Sequence, residues 1–214
     1  MDIPWGDIAT YATAGAGLVI SIAAWRVARR SADEAERSAD SAEDVARIER
    51  ERWHSDQAPV FTVKLEPQGG DRAALNFQFV GPLSLQHLDR IELTIANSDD
   101  LERTAQLPGS QPQEVLDAQV WGPYRFAAGA DGVDANGRAV RPFDLKVSRG
   151  RPFTLQRTRP PHWQEGQYRD QRWAEQFEGK PVRLLARCHK DGMAPWVVPI
   201  DVEVPPPPPM VYLV

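Results

Sequence analysis

The sequence predicts a mainly β protein: an N-terminal transmembrane helix continuing into a helical stalk, then an antiparallel β-sandwich with one short helix. Three observations predict it. Residues 8–25 carry no charge, residues 31–54 repeat alanine at heptad spacing, and from Ala58 onward apolar residues alternate with polar ones. The boundaries read as an anchor over 1–30, a stalk and candidate coiled coil over 31–57, a β-sandwich domain over 58–204 and a proline-rich tail over 205–214.

The uncharged stretch is eighteen residues long, near the lower limit for crossing a hydrocarbon core of about 30 Å. Leu18, Val19, Ile20 and Ile22 supply most of its apolar surface. Trp5 and Trp25 are twenty residues apart, about 30 Å along a helix. That spacing suits indole rings at the two membrane–water interfaces. A buried or interfacial amphipathic helix is the alternative, but the segment has no polar face.

Asp2 and Asp7 precede the span, and Arg26, Arg29 and Arg30 follow it. The positive-inside rule then places a short N-terminus outside and the C-terminal domain in the cytoplasm, on the inner face of the cell membrane. The acidic start and the Trp-Arg-Val-Ala-Arg-Arg end do not read as a cleaved signal peptide. Ala9, Thr13, Gly17 and Ser21 recur every four residues. Small residues on one face let helix backbones approach closely in lipid, so these four are the candidate helix-packing positions of a homo-oligomer.

In the stalk, Ser31-Ala32-Asp33-Glu34-Ala35-Glu36-Arg37 is followed by Ser38-Ala39-Asp40-Ser41-Ala42-Glu43-Asp44. Alanines at 32, 35, 39, 42 and 46 form an a/d seam, flanked by strong helix formers without Pro or Gly. The helix is expected to run on to about Trp53, with Pro59 as its latest end. The seam either pairs with a second copy, or the helix is a lone spacer supported by ion pairs such as Glu43 with Arg47.

In the domain, Phe61, Val63 and Leu65 alternate with polar neighbours, as do Leu75, Phe77 and Phe79, and then Ile91, Leu93 and Ile95. Later apolar runs cover 115–126, 143–147, 153–155, 182–188 and 197–204, separated by Gly, Pro, Asn and Asp. Some eight short strands in this length suggest a sandwich. One helix is expected over 168–178, with Trp173 and Phe177 on one face and a stop at Gly179 and Pro181.

The run Ile91-Glu92-Leu93-Thr94-Ile95-Ala96-Asn97-Ser98-Asp99 resembles a strand and turn of immunoglobulin-like accessory domains of bacteria, which usually carry Gly at the position of Asp99. More broadly, the chain resembles a group of uncharacterised single-pass membrane proteins of high-GC bacteria with an alanine-rich stalk and an immunoglobulin-like β domain. The resemblance rests on the alanine heptads, Trp121-Gly122-Pro123-Tyr124, Pro160-Pro161-His162-Trp163 and Pro195-Trp196. It implies the fold class and brings no activity with it.

A net charge of −5 argues against nucleic acid as a partner, since phosphates demand a basic face. The single cysteine, Cys188, excludes an internal disulfide. Cys188 and His189 are adjacent, and adjacent strand residues point to opposite faces, so they do not form a nucleophile–base pair. Val182, Leu184 and Ala186 share the side of Cys188, which reads as core. His54, His87, His162 and His189 lack the spacing of metal ligands. Asp131-Gly132-Val133-Asp134-Ala135-Asn136-Gly137 superficially resembles a calcium loop, but the first acid falls on Gly132 and the closing Glu on Phe143; Asn136-Gly137 reads as a tight turn. No phosphate-cradling Gly-Lys-Ser/Thr or Gly-x-Ser-x-Gly motif occurs. No cofactor and no catalytic residue is expected.

Trp121, Tyr124, His162 and Trp163 lie in loop-like stretches rich in Gly and Pro. They are the candidate recognition surface for an unknown protein partner, or else the cover of an open sandwich end. The five prolines 205–209 and the apolar Met210-Val211-Tyr212-Leu213-Val214 read as a docking peptide, a segment folded back on the domain, or a rigid end. The reading is a membrane-anchored, non-enzymatic interaction or scaffolding protein; a membrane-tethered ligand-sensing domain is the alternative. An apolar pocket beside the aromatic loops would favour the latter and a flat patch the former.

Overall fold

The computed structural model describes residues 5–97, 113–161, 163 and 167–206. The chain divides into two units, one through Ser55 and one from Asp56 onward.

The first unit is a single helix, α1 (Trp5–Asp56), 52 residues long. No Pro lies within it and its glycines, Gly6, Gly15 and Gly17, all fall in its first quarter, so nothing in the stalk interrupts the hydrogen-bond ladder. Its side chains are described at Trp25, at 29–31 and from Glu34 on. Ala35, Ala39, Ala42 and Ala46 are exposed in the single chain, as are Trp25, Val45, Ile48 and Trp53. The expected Glu43–Arg47 pair is replaced: Arg47 reaches Asp44 at 2.9 Å and Glu51 at 3.7 Å. Both acids are neighbours of Arg47 on the helix surface, one turn before and one after. Among the described residues no helix is long and apolar enough to cross a membrane. The side chains of the uncharged stretch up to Ala24, including Ala9, Thr13, Gly17 and Ser21, lie outside the described ones.

The second unit is two antiparallel four-stranded sheets around one core. Strands β1 (Val60–Gly69), β2 (Arg72–Gly81), β6 (Gly150–Arg157) and β4 (Tyr124–Phe126) form the first, in the order β1-β2-β6-β4. Strands β5 (Phe143–Lys146), β3 (His87–Ile95), β7 (Val182–His189) and β8 (Trp196–Val202) form the second, in the order β5-β3-β7-β8. The alternation read in the sequence is the inward face of each strand. Leu75, Phe77 and Phe79 of β2 are fully buried, as are Ile91 and Leu93 of β3, with Leu184, Ala186 and Cys188 of β7 beside them. Each such side chain contributes on the order of 2 kcal/mol when removed from water. Phe143 joins the sheets: its ring lies edge-on to Phe77 at 6.1 Å and tilted against Phe153 at 5.2 Å. The Arg151 guanidinium covers Phe143 and Phe153 from outside and bonds to Asp131 at 3.1 Å.

Two expectations are corrected. The run 115–126 is not one strand: α2 (Gln113–Ala118) opens it, and only β4 pairs, with β6. Val115 and Leu116 are consecutive rather than alternating, which no single-faced strand buries together, and Gly122-Pro123 separates helix from strand. The domain also holds more than one short helix: α2, a 3-10 turn at Leu83–Leu85, and α3 (Arg169–Gln176). α3 falls inside the expected 168–178, buries Trp173, and ends at Phe177, with Gly179 at φ +67° just beyond.

Candidate functional site

Of the residues singled out in the loops, Trp121 and Trp163 converge at the end of the sandwich where β3 and β6 finish and β7 begins. Four rings form a row. Trp163 lies 6.3 Å from Trp121, Trp121 lies 5.4 Å from Trp173, and Trp173 lies 4.9 Å from Phe177. Trp173 and Phe177 are supplied by α3 and its C-cap and are buried; Trp121 and Trp163 are half-buried. One end of the row is thus core, and the other is surface.

Hydrogen bonds fix the loop that carries Trp121. Its backbone N–H donates to Asn97 Oδ1 at 3.0 Å, and its indole N–H donates to the Leu116 carbonyl at 3.1 Å. Arg138 Nη2 donates both to Asn97 Oδ1 at 3.1 Å and to the Gln119 carbonyl at 2.6 Å. Arg138 Nε is buried with no partner among the described residues. A second clamp lies behind the row. The Trp173 indole N–H donates to Thr158 Oγ1 at 2.9 Å, and the Thr158 hydroxyl donates to the buried Gly122 carbonyl. The Thr158 N–H donates to the Pro123 carbonyl at 3.1 Å. With the Trp121 indole N–H satisfied internally, what that residue offers outward is the apolar ring surface. Such a surface supports contact, not proton transfer.

Tyr124 does not belong to this surface. It sits on β4 with its side chain inward, only 3% exposed, and the Arg157 guanidinium lies over its ring at 5.5 Å. A three-residue strand paired with β6 enforces the inward orientation, which the neighbouring Gly and Pro concealed. His162 lies outside the described residues. Thr158, Asn97 and Arg138, which organise the site, carried no signal in the sequence. Their partners are 15 to 41 residues away along the chain.

Beside the row, on the far side of Phe177, is a cleft of about 540 Å³. Its lining is mixed: Pro123, Ala174, Phe177 and Val204 are apolar, while Arg157, Glu175 and Glu178 bring charge.

The remaining candidate groups are engaged elsewhere. Cys188 is fully buried, and burial pushes its thiol up to about 12. His189, on the opposite face, approaches Glu92 at 3.6 Å. His87 Nε2 meets Asp89 at 2.7 Å. The Asp191 backbone N–H, donating to Asp89 at 2.7 Å, is the largest influence holding the Asp89 carboxyl below its usual range. In the loop that resembled a calcium site, Asp134 accepts from the backbone N–H groups of Asn136, Arg138 and Ala139. Its oxygens therefore serve the turn. Gly137 there has φ +75°, and a Cβ would lie 2.7 Å from the Phe126 carbonyl, so only glycine fits. No group of three metal-ligating side chains gathers among the described residues.

Comparison with protein-family models, with curated proteins and with solved structures returns no match to this chain.

Proposed function

We propose that the chain is a membrane-anchored, non-enzymatic interaction protein that presents its β domain at the cytoplasmic face of the cell membrane. The reading of the sandwich as immunoglobulin-like belongs to the same proposal and rests on the sequence run Ile91–Asp99. The anchor rests on the uncharged stretch with its tryptophans and following arginines. The single observation that carries the interaction role is the Trp121–Trp163 pair. Two half-exposed indoles from separate loops lie 6.3 Å apart, and the polar groups of Trp121 are held from within. Rigid aromatic side chains at a surface give large contact area at low entropic cost.

The ligand-sensing alternative is favoured by the cleft next to Phe177, which is of a size that takes a small molecule.

The test has two arms. Full-length protein should remain with membranes after alkaline extraction, and a reporter active only in the periplasm, fused after Val214, should stay silent. Recovery of the chain in the soluble fraction, or a bright reporter, would overturn the anchor or its orientation. Pull-down of intact protein from membranes should then recover a partner that is lost when Trp121→Ala and Trp163→Ala are combined. Retention of the same partner would remove the aromatic pair from the proposal.

A further inference from the structure

The outer faces of the two sheets differ in charge. On the second sheet, Arg90, Glu92, Asp144, Lys146, Arg183 and Arg187 alternate with buried residues and point outward. On the first sheet, the outward positions at the centre are Thr62, Ala74, Asn76, Gln78, Pro152 and Thr154, none of them charged. Exposed Val60 and Val80 continue this face at the end where the chain enters the domain. Its charges stand at the margins: Lys64 and Glu66 on the edge strand β1, Arg72 at the start of β2, and Arg125 on the opposite edge strand β4. An uncharged centre inside a charged margin is the anatomy of a protein–protein contact.

Chain connectivity names the occupant. Trp53 lies one heptad beyond Ala46, and Val60 follows it by only seven residues. Paired helices run about 8–10 Å apart, so two chains joined along the stalk enter their domains side by side. Three strands at about 4.8 Å and about seven residues at about 3.4 Å give the face an area of about 340 Å². That is well short of the roughly 800 Å² each partner brings to a standard interface. The face is too small to gather free copies and suited to copies already tethered.

We propose that a second copy of this chain docks on the outer face of the β1-β2-β6-β4 sheet, face to face, once α1 pairs along its alanine seam. The proposal rests on that pairing. A twofold axis along the strands keeps both entry ends together and lays β1 of one copy over β4 of the other. Glu66 then faces Arg125 of the second copy. The registers bring the two within one outward position along the strands: Glu66 is level with Ala74 and Thr154, and Arg125 with Gln156. Arg125 points outward because Tyr124 and Phe126 beside it are buried.

The test uses the full chain in detergent, in a Cys188→Ser background, with one added cysteine. The sites are Ala39→Cys in the stalk, Gln78→Cys on the proposed face and Arg187→Cys on the outer face of the second sheet. All three positions are exposed. Packed sheets lie about 10 Å apart, within reach of a short bismaleimide. Chains should crosslink to each other at Ala39→Cys, and at Gln78→Cys several-fold faster than at Arg187→Cys. Crosslinks at Ala39→Cys with equal rates at the two sheet positions would overturn the face and leave the stalk pairing intact. No crosslink at either Ala39→Cys or Gln78→Cys would overturn both. Adding Glu66→Arg should slow crosslinking at Gln78→Cys several-fold without slowing it at Ala39→Cys, and adding Arg125→Glu as well should restore it. A double reversal as slow as the single one would overturn the Glu66–Arg125 contact, and with it the face-to-face arrangement.

Discussion

Thr158→Val tests whether the aromatic end of the sandwich is held by the hydroxyl between Trp173 and Gly122. Valine keeps the shape of threonine, and the site is only 8% exposed, so packing is nearly unchanged. Two polar groups lose their partner: the Trp173 indole N–H, which donates at 2.9 Å, and the buried Gly122 carbonyl. An unsatisfied buried group costs about 1–3 kcal/mol, so the pair should cost roughly 2–6 kcal/mol. For a domain of this size about 1 kcal/mol lowers Tm by roughly 2–4 °C, so a fall of about 4–24 °C is expected. Trp173→Phe removes the donor but leaves the Thr158–Gly122 bond, and should cost about 1 kcal/mol beyond its loss of ring area. In the double variant no indole donor is left orphaned, so the loss should be smaller than the sum of the two single losses. The assay is thermal unfolding of the full chain followed by near-ultraviolet circular dichroism. A loss under about 0.5 kcal/mol for Thr158→Val, or strict additivity in the double variant, would refute the reasoning.

Three further outcomes are expected. Burial raises the Cys188 thiol from its ordinary 9.0 to about 12, so the unfolded chain ionises first. Stability from this group should be intact below pH 9 and decline as pH rises toward 12, and Ellman's reagent should react only at the rate of unfolding; measuring that rate against denaturant checks both. Asp134→Ala removes the acceptor of three backbone N–H groups in an exposed loop, and should cost about 1 kcal/mol while speeding amide exchange at Asn136, Arg138 and Ala139. Single cysteines scanned along residues 31–50 in a Cys188→Ser background should crosslink with a three-four period peaking at Ala32, Ala35, Ala39 and Ala42, and Gly17→Ile should weaken every crosslink. Uniform or absent crosslinking would make the stalk a lone spacer.

Strands were the most legible part of the fold, because an inward face every second residue leaves a pattern within one short stretch of chain. Phe61, Val63 and Leu65, or Ile91, Leu93 and Ile95, needed no partner to be recognised. The stretch 115–126 reads as one strand because six residues of helix and three of strand are both shorter than the window in which either period becomes distinct. Tyr124 was assigned to the surface because its Gly-Pro neighbours resemble a loop, while its burial comes from pairing with Arg157 on β6. Trp121 and Trp163 were found by composition alone. Their arrangement was not, since it depends on Asn97, Arg138 and Thr158, polar residues whose partners are brought near only by the closed sandwich.

The edges of the two sheets bear on what happens when copies of this chain crowd together. An open strand edge is a template on which another chain can continue the sheet. Each sheet here ends on one side in a strand of three or four residues, β4 and β5, too brief to template much. The opposite edges are longer, but β1 carries Pro67 with exposed Lys64 and Glu66, and β8 carries exposed Pro199 and Asp201. Proline supplies no backbone donor, and a charge resists being pressed against a second sheet. The domain can therefore be held at high local density, as on any crowded surface, without fusing edge to edge into fibrils.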